Sequence, residues 1–296
     1  IKEAIVESGM DIRRHAATPA RKDLYDIDED SLTLTLKDTE TFHHVVAKLL
    51  YVSQRGRTDT QPTIAFLCTR VSKPTEQDWS KLRRLLEYLH GTLDQTRTLG
   101  ADNLHSMVTW VDASYAIHAD MKSHTGGAIS LGTGALMTKS TKQKLNTKSS
   151  TEAEVVGSSD YLPNTIWAGN FLEAQGYKLV ENVFLQDNQS SMKLIKNGRA
   201  SSGPKTRHMN IRYFFIKDRL QSENIQVKYC PTESMLADFF TKPLQGRLFR
   251  KFRAVLFGPE HISALHRPAA PSAEERVGHT SISGPDSPKI TTDKSG

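Results

Sequence analysis

Hydrophobic and polar positions along the chain change their period near residue 99 and lose it altogether near residue 259. In TFHHVVAKLLYVSQRG, ending at Gly56, apolar residues recur at helical spacing. PTEQDWSKLRRLLEYLHG repeats that period; it opens with a capping-box pattern at Thr75 and Asp78 and stops at Gly91. Residues 1–98 therefore predict a small helical unit. Beyond it, short β-branched and aromatic runs alternate with helical stretches. Strands are expected near 107–113, 125–131, 134–139, 182–187 and 225–230, and helices near 150–175, 189–197, 208–222 and 233–256. Such alternation over 99–258 implies an α/β domain with a mixed sheet. From 259 to 296 the chain is rich in Pro, Ser, Gly and Thr, which predicts a disordered tail. No internal repeat is visible.

One residue contradicts its strand. In MVTWVDASYA, residues 107–116, a β-branched and aromatic run carries Asp112, a residue type that strands avoid. An ionised carboxylate at the end of a buried strand needs a cation, a dense set of donors, or water.

Composition narrows the classes. The chain has 296 residues, 37% hydrophobic, enough for a sizeable core. Two cysteines, Cys68 and Cys230, make neither a disulfide framework nor a zinc cluster alone, and no run of about eighteen apolar residues suggests a membrane span. The expectation is an intracellular protein without a membrane, in a cytoplasmic particle or the nucleus; no targeting signal is seen in a chain that starts at Ile1. The net charge of +6 favours a polyanionic partner. From Lys193 to Arg219 eight Lys or Arg face a single acid, Asp218, and KSTKQKLNTK adds Lys139, Lys142, Lys144 and Lys148. These basic stretches flank the acids discussed next, which a merely solvated face does not require.

Four acids stand at element ends or on helix faces: Asp112, Glu154 in KSSTEAEVVG, Asp187 in VFLQDNQSS and Asp238 on the helix expected in PTESMLADFF. Singly, each has an ordinary reading: Glu154 could close a capping box with Thr151, as Glu152 could with Ser149, Asp187 could cap the next helix, and Asp238 could be an exposed helix residue. Jointly, strand-end carboxylates in an open α/β sheet can meet where ligands bind. Clustered carboxylates need cations, and oxygen ligands without His or Cys suit Mg²⁺ or Mn²⁺.

The ordered motifs VDASYA, HTGGAISLG, KQKLNTKSSTEAE, QDNQS, KTRHMNIRYFFIKDRL and YCPTESMLADFFTKPL resemble the ribonuclease H domain of a copia-type retrotransposon polyprotein, over roughly residues 105–257. FHHVVAKLLYVSQRGRTDTQPTIAFLCTRV and KPTEQDWSKLRRLLEYLHGT resemble the end of the adjoining reverse transcriptase. The resemblance implies a ribonuclease H-like five-stranded mixed sheet with flanking helices. It also implies a site for two divalent ions on Asp112, Glu154, Asp187 and Asp238, and hydrolysis of the RNA strand of an RNA/DNA hybrid. Glu152 and Glu154 diverge by roughly 200° on a helix, so only one faces the site. Glu154 is favoured, because its spacing to VVGSSDYL resembles that of related enzymes. Cellular enzymes carry a histidine shortly before the last aspartate, and none lies between Cys230 and Asp238.

Beside the ligands, Ser150, Asn188 and Gln189 are expected to contact 2′-hydroxyls, and Lys205, Arg207, His208 and Arg212 to grip phosphates. The rest of the polyprotein, with the reverse transcriptase upstream, is the expected protein partner. No Tyr-x-Asp-Asp turn occurs in the chain, so no polymerase activity is expected, and residues 99–258 are expected to cleave without residues 1–98. The alternatives are a catalytically inactive nucleic-acid-binding remnant and an integrase- or transposase-like DNA-processing enzyme. A calcium loop at DIDED fails, since its sixth position is Ser31 and its twelfth Lys37.

Overall fold

The computed structural model describes residues 1–197 and 210–266. Lys205, Arg207 and His208, and residues 267–296 of the expected tail, lie outside these. Four helices come first: α1 (Lys2–Glu7), α2 (Leu36–Arg55), α3 (Gln61–Cys68) and α4 (Glu76–His90). The Thr75 hydroxyl and the Asp78 carboxylate cap α4 reciprocally, and Gly56 and Gly91 end α2 and α4. Phe42, Val45, Val46 and Leu49 from α2 pack on Leu82, Leu85, Leu86 and Leu89 from α4, which is why their apolar positions recur at helical spacing.

After these come β1 (Gly100–Ala101), β2 (Ser106–Ser114), β3 (His124–Ser130), β4 (Gly132–Thr133), β5 (Met137–Lys142), α5 (Ser150–Ala174), β6 (Glu181–Gln186), α6 (Gln189–Asn197), α7 (Asn210–Ser222), β7 (Gln226–Tyr229) and α8 (Gly246–Phe257). The main sheet runs β5-β3-β2-β6-β7. β3 is antiparallel to β2 and β5, whereas β6 is parallel to β2 and β7. This is the expected five-stranded mixed sheet with flanking helices. β5 begins three residues later than expected because Gly132 and Gly134 turn the chain through positive φ, and the Ser130 hydroxyl closes that turn on the Gly134 carbonyl at 2.6 Å.

The pleat of β2 explains the two cores. Met107 and Val111 face Val155, Val156 and Leu162 of α5, while Val108 and Trp110 face Phe240, Phe252 and Leu256 on the other side. Asp112 shares the Trp110 face.

Two expectations change here. The helix expected over 233–256 is broken into 3₁₀ segments Thr232–Ser234 and Leu236–Phe240, followed by α8. Pro243 denies the residue before it the α conformation, and Gly246 stands at φ 59°. Asp238 thus rides a 3₁₀ turn. Residues 259–266, expected within the tail, fold back on the body: His261 meets Asp102 at 2.8 Å, and Leu265 is buried.

Residues 1–266 form one compact unit. The Tyr25 ring packs against buried His118 and His124, with centroids 5.4 and 5.8 Å away. His118 Nε2 lies 3.0 Å from His124 Nδ1, and His124 Nε2 lies 2.8 Å from the Ser140 hydroxyl, which donates to the Phe240 carbonyl. Burial and Lys142, against Asp120, push His118 down to about 4, and burial, His118 and Lys142 push His124 down to about 3. Both rings are expected to stay uncharged from pH 8 to pH 5 in side-chain ¹⁵N spectra. Titration of either near 6.5 would mean that it reaches water. Because the folded values are depressed, the unfolded chain takes up these protons first, and their contribution to stability is lost as pH falls from about 6.5 towards 4.

Candidate metal centre

β6 runs parallel to β2 and ends near its C-terminal part, where the chain leaving β6 supplies Asp187 immediately after Gln186, close to Asp112. The first turn of α5 crosses the same end. Its N-cap is Ser149, whose hydroxyl accepts from Glu152 N at 3.2 Å, while the Glu152 carboxylate accepts from Lys148 N at 2.8 Å. Glu152 is thereby occupied as a cap. Glu154, turned away from it, comes together with Asp112 and Asp187: each offers a carboxylate oxygen, all within 4.8 Å of one another.

Asp238 approaches from the Leu236–Phe240 turn, which lies directly on β3. Gly126, paired with Asp112 in the sheet, makes this approach possible. A Cβ there would lie 2.7 Å from Thr241 Cγ2 and 2.8 Å from the Ala237 carbonyl oxygen. The Thr241 hydroxyl donates to Asp112 Oδ2. Lys242 Nζ lies 2.7 Å from Asp238 Oδ1 and 3.9 Å from Asp112 Oδ1. An open cavity of about 540 Å³ exposes Asp112, Glu154, Asp187, Asn188 and Lys242, with Tyr115 on its wall.

The electrostatics record crowded negative charge. Burial, then Asp112 and Asp187, raise Glu154 well above the usual carboxylate range, against the Gln186 amide that donates to it at 3.1 Å. Burial and Asp112 also raise Asp187, with Lys242 opposing. Asp238 is pushed up to about 7 by burial and Asp112, again against Lys242. For Lys242, burial acts downward, but Asp112, Asp238 and Asp187 outweigh it and the ammonium is held more firmly. Oxygen donors carrying excess charge at a solvent-open cavity fit a hard divalent cation.

The expected nucleic-acid contacts fall in different places. Asn188 lies at the cavity, but its side chain also caps α6 by accepting from Ser191 N at 2.9 Å. Gln189 and Ser150 are exposed first residues of α6 and α5. Arg212 pairs with Asp160 at 2.6 Å. Sequence reading did not single out Gln186, whose side-chain oxygen Oε1 accepts from Asp187 N at 2.8 Å and Asn188 N at 3.1 Å while its Nε2 donates to Glu154. Neither Thr241 nor Lys242 was singled out as a site residue. Their only signal was adjacency to Asp187 and Asp238 in QDNQ and DFFTKP.

No family model matches the chain. The retrovirus-related Pol polyprotein from transposon RE2 of Arabidopsis thaliana is 31% identical over 223 residues, covering 73% of this chain and 15% of that protein. That from transposon TNT 1-94 of Nicotiana tabacum is 28% identical over 209 residues, covering 70% and 16%. The Ty1-DR6 Gag-Pol polyprotein of Saccharomyces cerevisiae is 26% identical over 247 residues, covering 80% and 14%. Among solved structures, LC11-RNase H1, isolated from compost, matches 45% of this chain and 91% of its own at 12% identity and a TM-score of 0.34. The chain spans only about a seventh of the length of these polyproteins. Relatives in two plants and a yeast, aligned over most of this sequence, are all transposon polyproteins, and the chain fits a fragment of such a retrovirus-related Pol polyprotein.

Proposed function

We propose that this chain is the ribonuclease H part of its polyprotein and hydrolyses the RNA strand of RNA/DNA hybrids, using two divalent ions, Mg²⁺ or Mn²⁺. The observation that carries the reading is the meeting of Asp112, Glu154 and Asp187 where two parallel strands end, with Asp238 beside them. When bound, such ions supply an activated water and stabilise the leaving 3′ oxygen. The chain's own residues do the holding. Gln186 fixes the orientation of Glu154 and of the backbone that presents Asp187. Thr241 fixes Asp112. In this reading Ser150, Asn188 and Gln189 meet 2′-hydroxyls across a shallow minor groove. Arg212 contacts phosphates together with Lys205, Arg207 and His208, which lie outside the described residues. The partner in the polyprotein is the reverse transcriptase, whose closing helices residues 1–98 resemble. No helix among the described residues is long and apolar enough to cross a membrane.

The test is an end-labelled hybrid with and without Mg²⁺. Metal-dependent cuts in the RNA strand alone are expected, with no nucleotide incorporated on a primed template. Cutting of duplex DNA, or strand transfer, would favour the integrase-like alternative instead.

A further inference from the structure

The expected fourth ligand stands apart from the other three. Asp112, Glu154 and Asp187 bring oxygens within 4.8 Å of one another, and Asp238 is not in that group. Asp238 Oδ1 is instead occupied by Lys242 Nζ at 2.7 Å, and the same ammonium reaches to 3.9 Å from Asp112 Oδ1. It stands between the two aspartates, whose oxygens would hold a second ion. The backbone holds Lys242 in this place: its N–H donates to the Asp238 carbonyl at 2.9 Å, and Pro243 follows directly. Its side chain is nevertheless 41% exposed and lines the mouth of the open cavity. A lysine stem anchored at its base and open at its head can leave without disturbing the fold.

We infer that Lys242 occupies the second cation position of the free protein, so that one divalent ion binds on Asp112, Glu154 and Asp187, and the Asp238 position opens only when the ammonium moves away. A phosphate entering the cavity is an anion that draws it off, after which the same ammonium holds that phosphate. The second position would thus be withheld until a nucleic acid is present. The inference rests on the metal-dependent reading above.

Mn²⁺ binding to the full chain, measured without nucleic acid by calorimetry and by electron paramagnetic resonance, tests it. The wild type is expected to take up one ion. Lys242→Met keeps the stem and removes the charge. It should reveal a second ion, bound at least about tenfold more tightly than any second ion on the wild type. Lys242→Arg should stay at one. Asp238→Asn should leave the first ion's affinity within about threefold, since Asp238 is not among its ligands. Equal stoichiometry and affinity for the wild type and Lys242→Met would overturn the inference while leaving the metal site intact. So would a large loss of the first ion in Asp238→Asn. If no form of the protein binds Mn²⁺, the inference falls together with the reading beneath it.

Discussion

Asp112→Asn is expected to abolish hybrid cleavage and, at the same time, to make the metal-free protein more stable. The two effects share one cause. Asp112 is the carboxylate that raises all three of its neighbours, Glu154, Asp187 and Asp238. Removing its charge takes away a metal ligand, at a cost of about 100-fold or more in rate, since even residues behind the ligands cost 10–100-fold. It also relieves repulsion among buried acids. Asparagine keeps an oxygen for the Thr241 hydroxyl, so little else is lost. A gain of about 1–2 kcal/mol is the expected scale, once the existing compensation by Lys242 is allowed for.

The pH dependence of that gain separates repulsion from better packing. Asp238 titrates near 7 in the folded protein, and Glu154 is raised as well. Near pH 5 Asp238 holds its proton, so Asp112 meets less negative charge and the substitution relieves less. Near pH 8 Asp238 is ionised and the repulsion is at its largest. Because the folded value of Asp238 lies above its unfolded one, the stability it contributes is present at low pH and is lost as pH rises through about 7. The melting temperature of Asp112→Asn minus that of the wild type should therefore grow from pH 5 to pH 8. Mg²⁺ should raise the melting temperature of the wild type more than that of the variant. A difference that is flat with pH, or a destabilised variant, would show that Asp112 is not the centre of a repulsive cluster.

Much of the arrangement was legible because it depends on local pattern. Strand-end Asp112 was conspicuous against its own strand, and the helical angle between Glu152 and Glu154 separates a cap from a site-facing residue without any tertiary information. The capping box of α4 was equally plain. What escaped depends on contacts between distant segments. The run MLADFF has the composition of a helix and becomes a 3₁₀ turn because Pro243 follows it and because it must seat against Gly126, more than a hundred residues earlier. Gln186, Thr241 and Lys242 acquire roles only once β2, β6 and that turn meet. No spacing along the chain announces such a meeting.

The same limit applies to the boundary at residue 98, and it changes what a truncation should do. The sequence pattern changes there, but the core does not stop. Tyr88 of α4 lies in one buried cluster with Phe239, Phe249 and Phe252, its ring edge-on to Phe249 with centroids 6.0 Å apart. The Tyr88 hydroxyl donates to Asp59 and receives Arg253 at 3.0 Å, while Asp59 also holds the buried guanidinium of Arg57 at 2.9 Å. Gln245, at the start of α8, donates to the Ala20 carbonyl at 2.9 Å. At the other end, the Leu265 carbonyl accepts from Ser234 and Lys251 at 2.9 and 2.7 Å. Residues 99–258 alone therefore lose Tyr88 and Leu265 from the core. They also leave Arg253 without its partner. Deleting a large aromatic and a leucine from packed sites costs about 3–5 and 2–5 kcal/mol respectively. Together these are comparable with the whole stability of an ordinary domain, about 5–15 kcal/mol. The 99–258 segment is expected to unfold without a cooperative transition and to lose cleavage, contrary to what the sequence pattern suggests, whereas residues 1–266 should melt sharply and cleave. Calorimetry of the two segments decides it: a sharp transition and full activity in 99–258 would mean that the helical unit only leans on a self-sufficient domain.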